Sequence, residues 1–410
     1  MKSYLIEIKP TDIQKQKIHQ NIGNCRVVYN LYLKKLITEI DNKEKKLSSG
    51  YTYSKYLNNV FLPNNPSYTW IKKASSKAIK QSIMNCDKAL KRFWKEFKTN
   101  KSLKNRTKKL IASGKLKKED IKLYHFKTFP NFKKRKDNIG IYLPKNNKTS
   151  FEIQRHRVKI PMLKWIRIKE YGYLPLDANI KSCSVSYKAG RYFISFLVEE
   201  KSTPIIYNFS DGIGVDLGIK ELAIDSNGNF YKNINKGNKV KKIEKKLKRV
   251  QRSLSRKYIN KKRGGETANK NILKTISNLQ KIHFKLSNIR TEYIRSVVNS
   301  MVKSNPQFVT IEDLNIKGMM KNKHLSKAIA GQKWYYFTLF LKAQANKKGI
   351  QVRIVDRWYP SSKICNHCGS IKSNLKLKDR KYVCDCGYAE DRDLNAAFNL
   401  RDATEYKIAN

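Results

Sequence analysis

Three acidic residues stand where acids are costly. Asp216 interrupts the apolar run Gly214-Val215-Asp216-Leu217-Gly218-Ile219, Glu312 closes the run Phe308-Val309-Thr310-Ile311, and Asp393 opens a helical stretch just after a cysteine cluster. A charged carboxylate in an apolar strand costs several kcal/mol unless a cation meets it. A lone Asp at a sheet edge can simply turn to solvent, but that reading does not account for three such acids. They are separated by 96 (312 − 216) and 81 (393 − 312) residues, so only the fold can gather them. Gathered charges about 4 Å apart repel by about 4 kcal/mol at an effective dielectric near 20. Divalent metal removes that cost, and hard carboxylate oxygens suit Mg²⁺ or Mn²⁺. Two ions about 3.5–4 Å apart can clamp the attacking water and the leaving oxygen of a phosphodiester. Asp216, central on its strand, would bridge them, with Glu312 and Asp393 completing one ion each. Asp391, two residues before Asp393, is the alternative ligand, and Asp393 is favoured. Asp225, Asp313 and Asp356 read more simply as polar strand ends.

The second constellation is sulfur. Cys365-Asn366-His367-Cys368 and, after a spacer over 369–383, Cys384-Asp385-Cys386 form two paired arms, the pattern of a structural zinc site closed by four thiolates. His367 is the alternative ligand. Cys25, Cys86 and Cys183 are scattered and read as small core hydrophobes. The sequence holds no run of eighteen or more apolar residues and its start shows no secretory h-region, so a cytoplasmic location is expected, with no membrane partner. In that reducing compartment the cluster reads as metal and not as disulfide.

Lys and Arg number 88 against 32 Asp and Glu, a formal charge of +56. That excess calls for a polyanionic partner held by salt-sensitive phosphate contacts. An AT-rich coding bias would raise Lys, Asn and Ile but would not deplete acids. The basic stretch 98–136 interleaves Tyr124, Phe126, Phe129 and Phe132, which suits a surface that follows a backbone and stacks bases.

The elements that must position these groups follow from periodicity. Alternation at Tyr4, Ile6 and Ile8 predicts an opening strand, and Thr11 with Gln14 predicts a capping box at the start of helical patterning to about residue 98, with a further helical piece at 108–123. Strands are expected at 139–143, 151–154, 158–162, 185–187 and 192–198, as a small barrel or sandwich. Beyond 211, strands at 213–217, 221–225 and 230–231 form a meander. Two long helices flank Gly264-Gly265 with four- and three-residue apolar steps, Ile243 to Leu254 and Ile272 to Tyr293, which predicts a helical hairpin. A strand at 308–311, a helix at 334–347 ending at Gly349, a strand at 350–355 and a last helix near Asp393 complete an RNase H-like order. The fold class is thus α/β plus β, an RNase H-like (RuvC-like) nuclease domain with inserted zinc ribbon and helical hairpin, preceded by a small β-barrel domain carrying a helical insertion. The expected boundaries are 1–10 with 139–207 for the β-barrel, 11–138 for the basic helical insertion, 208–360 with 388–410 for the nuclease domain, and 361–387 for the ribbon.

Over most of its length the sequence resembles the TnpB (OrfB) proteins of insertion sequences, relatives of the compact type V CRISPR effectors. The resemblance is most specific in Gly214-Val215-Asp216-Leu217-Gly218, Ile311-Glu312-Asp313-Leu314, the run 334–349, Ser361-Ser362 and Asp391-Arg392-Asp393-Leu394-Asn395-Ala396-Ala397. It extends to Pro10-Thr11 with Gln14 and to Cys25-Arg26 with Tyr29-Asn30. It implies an RNA-guided DNA endonuclease of a transposable element that cuts beside a short recognition motif, with guide RNA and target DNA as partners and no small-molecule cofactor. It also implies a RuvC-like site at Asp216, Glu312 and Asp393, and an N-terminal half that grips RNA, motif and heteroduplex. Arg380 stands where family members often carry an arginine near the scissile phosphate. In two places the sequence departs from the family pattern: the second cysteine arm is one residue shorter than the commonest form, and Ser361 replaces a usual Thr. A guide-directed repressor without cleavage would show a broken acid triad, and a structure-selective RuvC-type nuclease would need neither ribbon nor basic N-terminal half.

Overall fold

The computed structural model describes residues 1–44, 46–99, 112–113, 128–135, 140–144, 151–199, 209–264, 269–375 and 379–409. Most of the helix expected at 108–123, and Tyr124 and Phe126, lie outside them. The chain divides into two units, Met1–Ser202 and Thr203–Asn410.

In the first unit, strand β1 (Lys2–Lys9) leads into the 30-residue helix α1 (Asp12–Asp41). Both hydrogen bonds of the capping box are present, and the Gln14 amide also donates to the Leu163 and Trp165 carbonyls, which ties the helix start to a distant strand. Helices α2 (Gly50–Tyr56) and α3 (Ser76–Thr99) follow before the chain returns to the sheet. The remaining strands are β2 (Ile141–Pro144), β3 (Glu152–Gln154), β4 (Arg157–Ile160), β5 (Lys164–Ile168), β6 (Asn179–Lys188) and β7 (Arg191–Glu199). They form a seven-stranded sheet in the order β2-β6-β7-β1-β5-β4-β3, antiparallel throughout. The sequence expectation differs here in three places. β4 stops at Ile160 because Pro161 has no N–H for the ladder. β5 was not expected: its turn uses Met162 (φ 73°) and Lys164 (φ 57°), which give no glycine or asparagine signal. β6 starts six residues earlier than the 185 expected, where Lys181, Ser182 and Ser184 break the apolar alternation. Cys25, Cys86 and Cys183 are core residues of this unit, and burial pushes their thiols up to about 12.

The second unit is built on a six-stranded mixed sheet. Its strands are β8 (Ile213–Asp216), β9 (Glu221–Asp225), β10 (Phe230–Lys232), β11 (Phe308–Glu312), β12 (Gln351–Val355) and β15 (Lys407–Ile408), in the order β10-β9-β8-β11-β12-β15. β8, β9 and β10 are antiparallel, whereas β11 runs parallel to both β8 and β12. A two-stranded ribbon, β13 (Lys381–Val383) and β14 (Ala389–Asp391), lies between β12 and the last helix in sequence. Helices α4 (Asn238–Lys262) and α5 (Asn269–Lys303) form the hairpin, and the C-terminal part of α5 buries Val297, Val298, Met301 and Val302. After the short α6 (Ser326–Gln332), α7 (Trp334–Lys348) buries Trp334, Phe337, Leu341 and Ala345, the face its spacing predicts, and ends at Gly349 with φ 70°.

Alternation sorts the strand residues by face. Ile213, Val215, Val309, Ile311 and Val352 join the core with α5 and α7. Gly214, Asp216, Thr310 and Glu312 therefore face the other way. That face is covered by helix α8 (Arg392–Arg401), which lies so close to β8 that a Cβ on Gly214 would come within 2.0 Å of the Ala397 carbonyl oxygen and 2.3 Å of the Arg401 nitrogen. Both obstacles are backbone, so neither can swing aside. Gly214→Ala should therefore destabilise the protein by about 3 kcal/mol, the upper end for overpacking. Urea denaturation of the full chain checks this, and an unchanged midpoint would contradict the close contact.

Candidate active site

Asp216 is the last residue of β8 and Glu312 the last of β11. The parallel register pairs Thr310 with Gly214 and Ile311 with Val215, so one more step sets Glu312 beside Asp216. Both project from the carboxyl ends of adjacent parallel strands, toward α8. Asp393 sits in the first turn of α8, which runs back along β8 so that its start meets the strand's end. Burial, followed by the charges of Asp393 and Glu312, raises the Asp216 carboxyl to about 7, and Arg392 opposes the shift. Burial and the Asp313 charge raise Glu312 to about 7. The three acids thus come together electrostatically. Among the described residues, however, only the four cysteines are drawn into a tight group of metal-ligand atoms.

The neighbours of the three acids hold each in a distinct setting. Asp391 caps α8: its Oδ1 accepts from the backbone N–H of Asp393 at 2.9 Å and of Leu394 at 3.2 Å. Capping occupies that oxygen, while the Asp393 carboxylate bears on Asp216. Arg392 approaches Asp393 Oδ1 at 2.8 Å, and Arg380, half-exposed, approaches Oδ2 at 3.6 Å. Asp225 is sealed in the turn after β9, where it accepts from Asn227, Asn229 and Tyr231. Asp313 pairs with Arg357 at 2.6 Å, and Asp356 accepts from the Trp358 N–H.

The four cysteine sulfurs lie within 4.8 Å of one another. Cys365 and Cys386 are 3.8 Å apart and Cys368 and Cys384 are 3.6 Å apart, far beyond a disulfide of about 2.05 Å. A tetrahedral ion with metal–sulfur bonds of about 2.3 Å requires edges of about 3.8 Å, so the group fits zinc. The short second arm closes because the Gly387 N–H reaches the Cys384 carbonyl at 3.0 Å, with Gly387 at φ 87°, where a side chain would be strained. Hydrogen bonds from the Cys386 backbone N–H and the Ser370 hydroxyl lower the Cys384 thiol to about 6. His367 Nδ1 stays 3.8 Å from the Cys386 sulfur.

Sequence reasoning missed what joins the two constellations. Asn395, fully buried on α8, donates to the Ile364 carbonyl at 2.8 Å and accepts from the Asn366 N–H at 3.2 Å. Asn399 donates to the carbonyls of Ser361 and Ile364, both at 2.7 Å. The first cysteine arm is thereby locked to the helix that carries Asp393. Asparagine at a four-residue spacing just after Asp393 was the available signal.

Comparison with known proteins finds similar families, relatives and solved structures. The family described as "Probable transposase" matches residues 196–323, a "Cas12f1-like, TNB domain" matches 334–400, and a "Helix-turn-helix domain" matches 1–45. Over two of these stretches the chain is similar to the OrfB proteins of insertion sequences. A "Putative RNA-guided DNA endonuclease" of Streptomyces pristinaespiralis is 32% identical over 228 residues, covering 55% of this chain and about half, 54%, of that relative. The Escherichia coli (strain K12) protein of the same description, InsQ, is 25% identical over 100% of this chain and 94% of its own length. The solved Cas12f1 from a complex with guide RNA and target DNA shares the fold, with a TM-score of 0.55 at 18% identity over 95% of this chain and 82% of its own. Within residues 1–45, the stretch matched by the helix-turn-helix model, this chain forms β1 and one continuous helix over Asp12–Asp41. No described helix is long and apolar enough to cross a membrane.

The raised carboxyl of Asp216 sets a pH dependence. Between the unfolded value near 4 and the folded value near 7, the folded chain holds a proton that the unfolded chain has released. Its favourable contribution is therefore complete below about pH 4 and is lost as pH rises through 7, a swing on the order of a few kcal/mol. Without added divalent metal, Asp216→Asn should melt higher than the parent at pH 8 and nearly with it at pH 4.5. Equal melting at both pH values would remove the buried charge.

Proposed function

We propose that this protein is an RNA-guided DNA endonuclease of a transposable element, cutting DNA beside a short recognition motif by metal-dependent phosphodiester hydrolysis. One observation carries the reading: Asp216 and Glu312 end adjacent parallel strands on the face covered by α8, whose first turn holds Asp393. The relatives that carry the endonuclease name support it, as does the formal charge of +56. In this reading the sheet of the second unit is RNase H-like, and 361–387 is a zinc ribbon. The strands around β1 form a barrel-like wedge that, with the insertion 11–138, grips guide RNA, motif and heteroduplex. Base pairing supplies sequence choice and protein contacts read shape and motif.

The donor set fits hard divalent ions: oxygen ligands only, and two carboxyls held up near 7 by burial and neighbouring charge. When bound, Mg²⁺ or Mn²⁺ lets these acids ionise together, activates water and neutralises the leaving oxygen. Asp216 occupies the centre, where it can serve both sides. Glu312 flanks it along the sheet, and Asp393 flanks it from the helix, held in orientation by Arg392 and Arg380. Asp391 keeps the helix start in place without joining the chemistry.

Co-expression with the flanking DNA, followed by incubation with a target plasmid, tests the reading. Asp216→Ala should lose at least about a thousandfold of cleavage, the scale for removing central charge stabilisation, while RNA and DNA binding stay within error. Retained cutting would sink the assignment, and cutting without co-purified RNA would favour a structure-selective nuclease. A thiol-competing zinc chelator should release about one zinc per chain and loosen the ribbon, since structural zinc supplies folding energy. Elemental analysis with circular dichroism measures both, and Zn²⁺ but not Mg²⁺ should reverse the change.

A further inference from the structure

Trp358 is the most exposed large apolar side chain among the described residues, with 84% of its surface in solvent. An indole in water forgoes one of the largest burial gains a side chain can have, so full exposure on a fixed backbone needs a reason. This backbone is fixed. The Trp358 N–H donates to Asp356 Oδ1 at 2.9 Å, the Tyr359 N–H donates to the Asp356 carbonyl at 3.0 Å, and the Tyr359 hydroxyl donates to the Asn399 carbonyl at 3.1 Å. The adjacent Arg357 is clamped to Asp313 at 2.6 Å.

Its place in the fold is also set. Val355, the last residue of β12, lies opposite Glu312 in the parallel ladder, and the Asp313 N–H donates to the Val355 carbonyl at 3.1 Å. Three residues reach at most about 11 Å and neighbouring strands are about 4.8 Å apart, so the Trp358 Cα lies within about 16 Å of that of Glu312. The ring stands at the carboxyl end of the sheet, where Asp216 and Glu312 project. Arg357, paired with Asp313, and Arg380, paired with Asp393, bring partly exposed guanidinium groups that can meet phosphate to this end.

We propose that Trp358 is a stacking platform for one base of the single DNA strand delivered to the carboxylates, a positioning contact that rests on the nuclease reading above. Stacking tolerates any base because every base has a π-face. That tolerance suits an enzyme whose sequence choice is made by guide pairing elsewhere. A protein partner would be the competing occupant, and the test separates the two by chemistry.

The full chain, with its co-expressed RNA, is titrated with oligothymidylate of about twelve nucleotides, within single-strand site sizes, in Ca²⁺ at salt high enough to weaken phosphate contacts. A fully abasic strand of equal length and charge is the control. The sequence has five tryptophans, so the Trp358 signal is taken as parent minus Trp358→Phe. The expected result is quenching of that signal by oligothymidylate and not by the abasic strand. Trp358→Ala should weaken oligothymidylate binding about tenfold and leave abasic binding unchanged, while Trp358→Phe keeps most of the affinity. No base-dependent quench, or equal weakening on both strands, overturns the proposal. Plasmid cleavage is read in parallel. Base-dependent quenching without cleavage would keep the platform and sink the nuclease reading, whereas cleavage without such quenching would do the reverse. Because the ring is exposed, Trp358→Ala should fold like the parent, as circular dichroism verifies.

Discussion

Like-charge repulsion at one end of the second sheet is the constraint that the surrounding structure is arranged to hold. Asp216 and Glu312 are set side by side by the parallel ladder of β8 and β11, and both are driven toward their protonated forms by burial. Asp393 adds a third charge from α8. Left to themselves these groups would move apart. They are kept together by a strand register, a helix packed on glycine at Gly214, and an aspartate cap at Asp391 that pins the helix start. Arg392 and Arg380 offset part of the charge on Asp393 while leaving Asp216 between acids. Under the proposed nuclease reading, divalent cations would relieve this repulsion.

The cysteine ribbon belongs to the same construction. It is inserted between β12 and α8, the two elements that flank the acids, and an insertion there could loosen both. Instead, the buried amides of Asn395 and Asn399 bind the first arm to α8 through the Asn366 N–H and the Ile364 carbonyl. Buried amides are costly unless fully paired, so this network holds only one relative placement of arm and helix. Ordering of the ribbon and orientation of Asp393 are therefore coupled.

The first unit contains no comparable charge cluster among its described residues. It contributes an antiparallel sheet whose first strand lies centrally, between β7 and β5, and helices that leave from its end. Placing the opening strand inside the sheet means that the helical segment is looped out of a β structure. The described helices are thus carried on a scaffold whose core includes Ile6, Ile166, Ile194 and Phe196.

Much of this was legible in the sequence because local patterns carry local physics. Apolar alternation gave β1, short apolar runs beside turns gave β7 and β9, four- and three-residue steps gave the hairpin and the buried face of α7, and Thr11 with Gln14 gave the cap. Paired cysteines on short turns gave the sulfur cluster, since their spacing is itself the geometry. Elements whose signals are not local were missed: β5, entered through left-handed Met162 and Lys164, and the two-residue β15, which exists only because β12 offers an edge. The sequence by itself determined that three acids sit in costly places and must be reconciled. Only the tertiary structure decided how, because the face an acid occupies and the closeness of α8 to Gly214 depend on contacts between residues far apart in the chain.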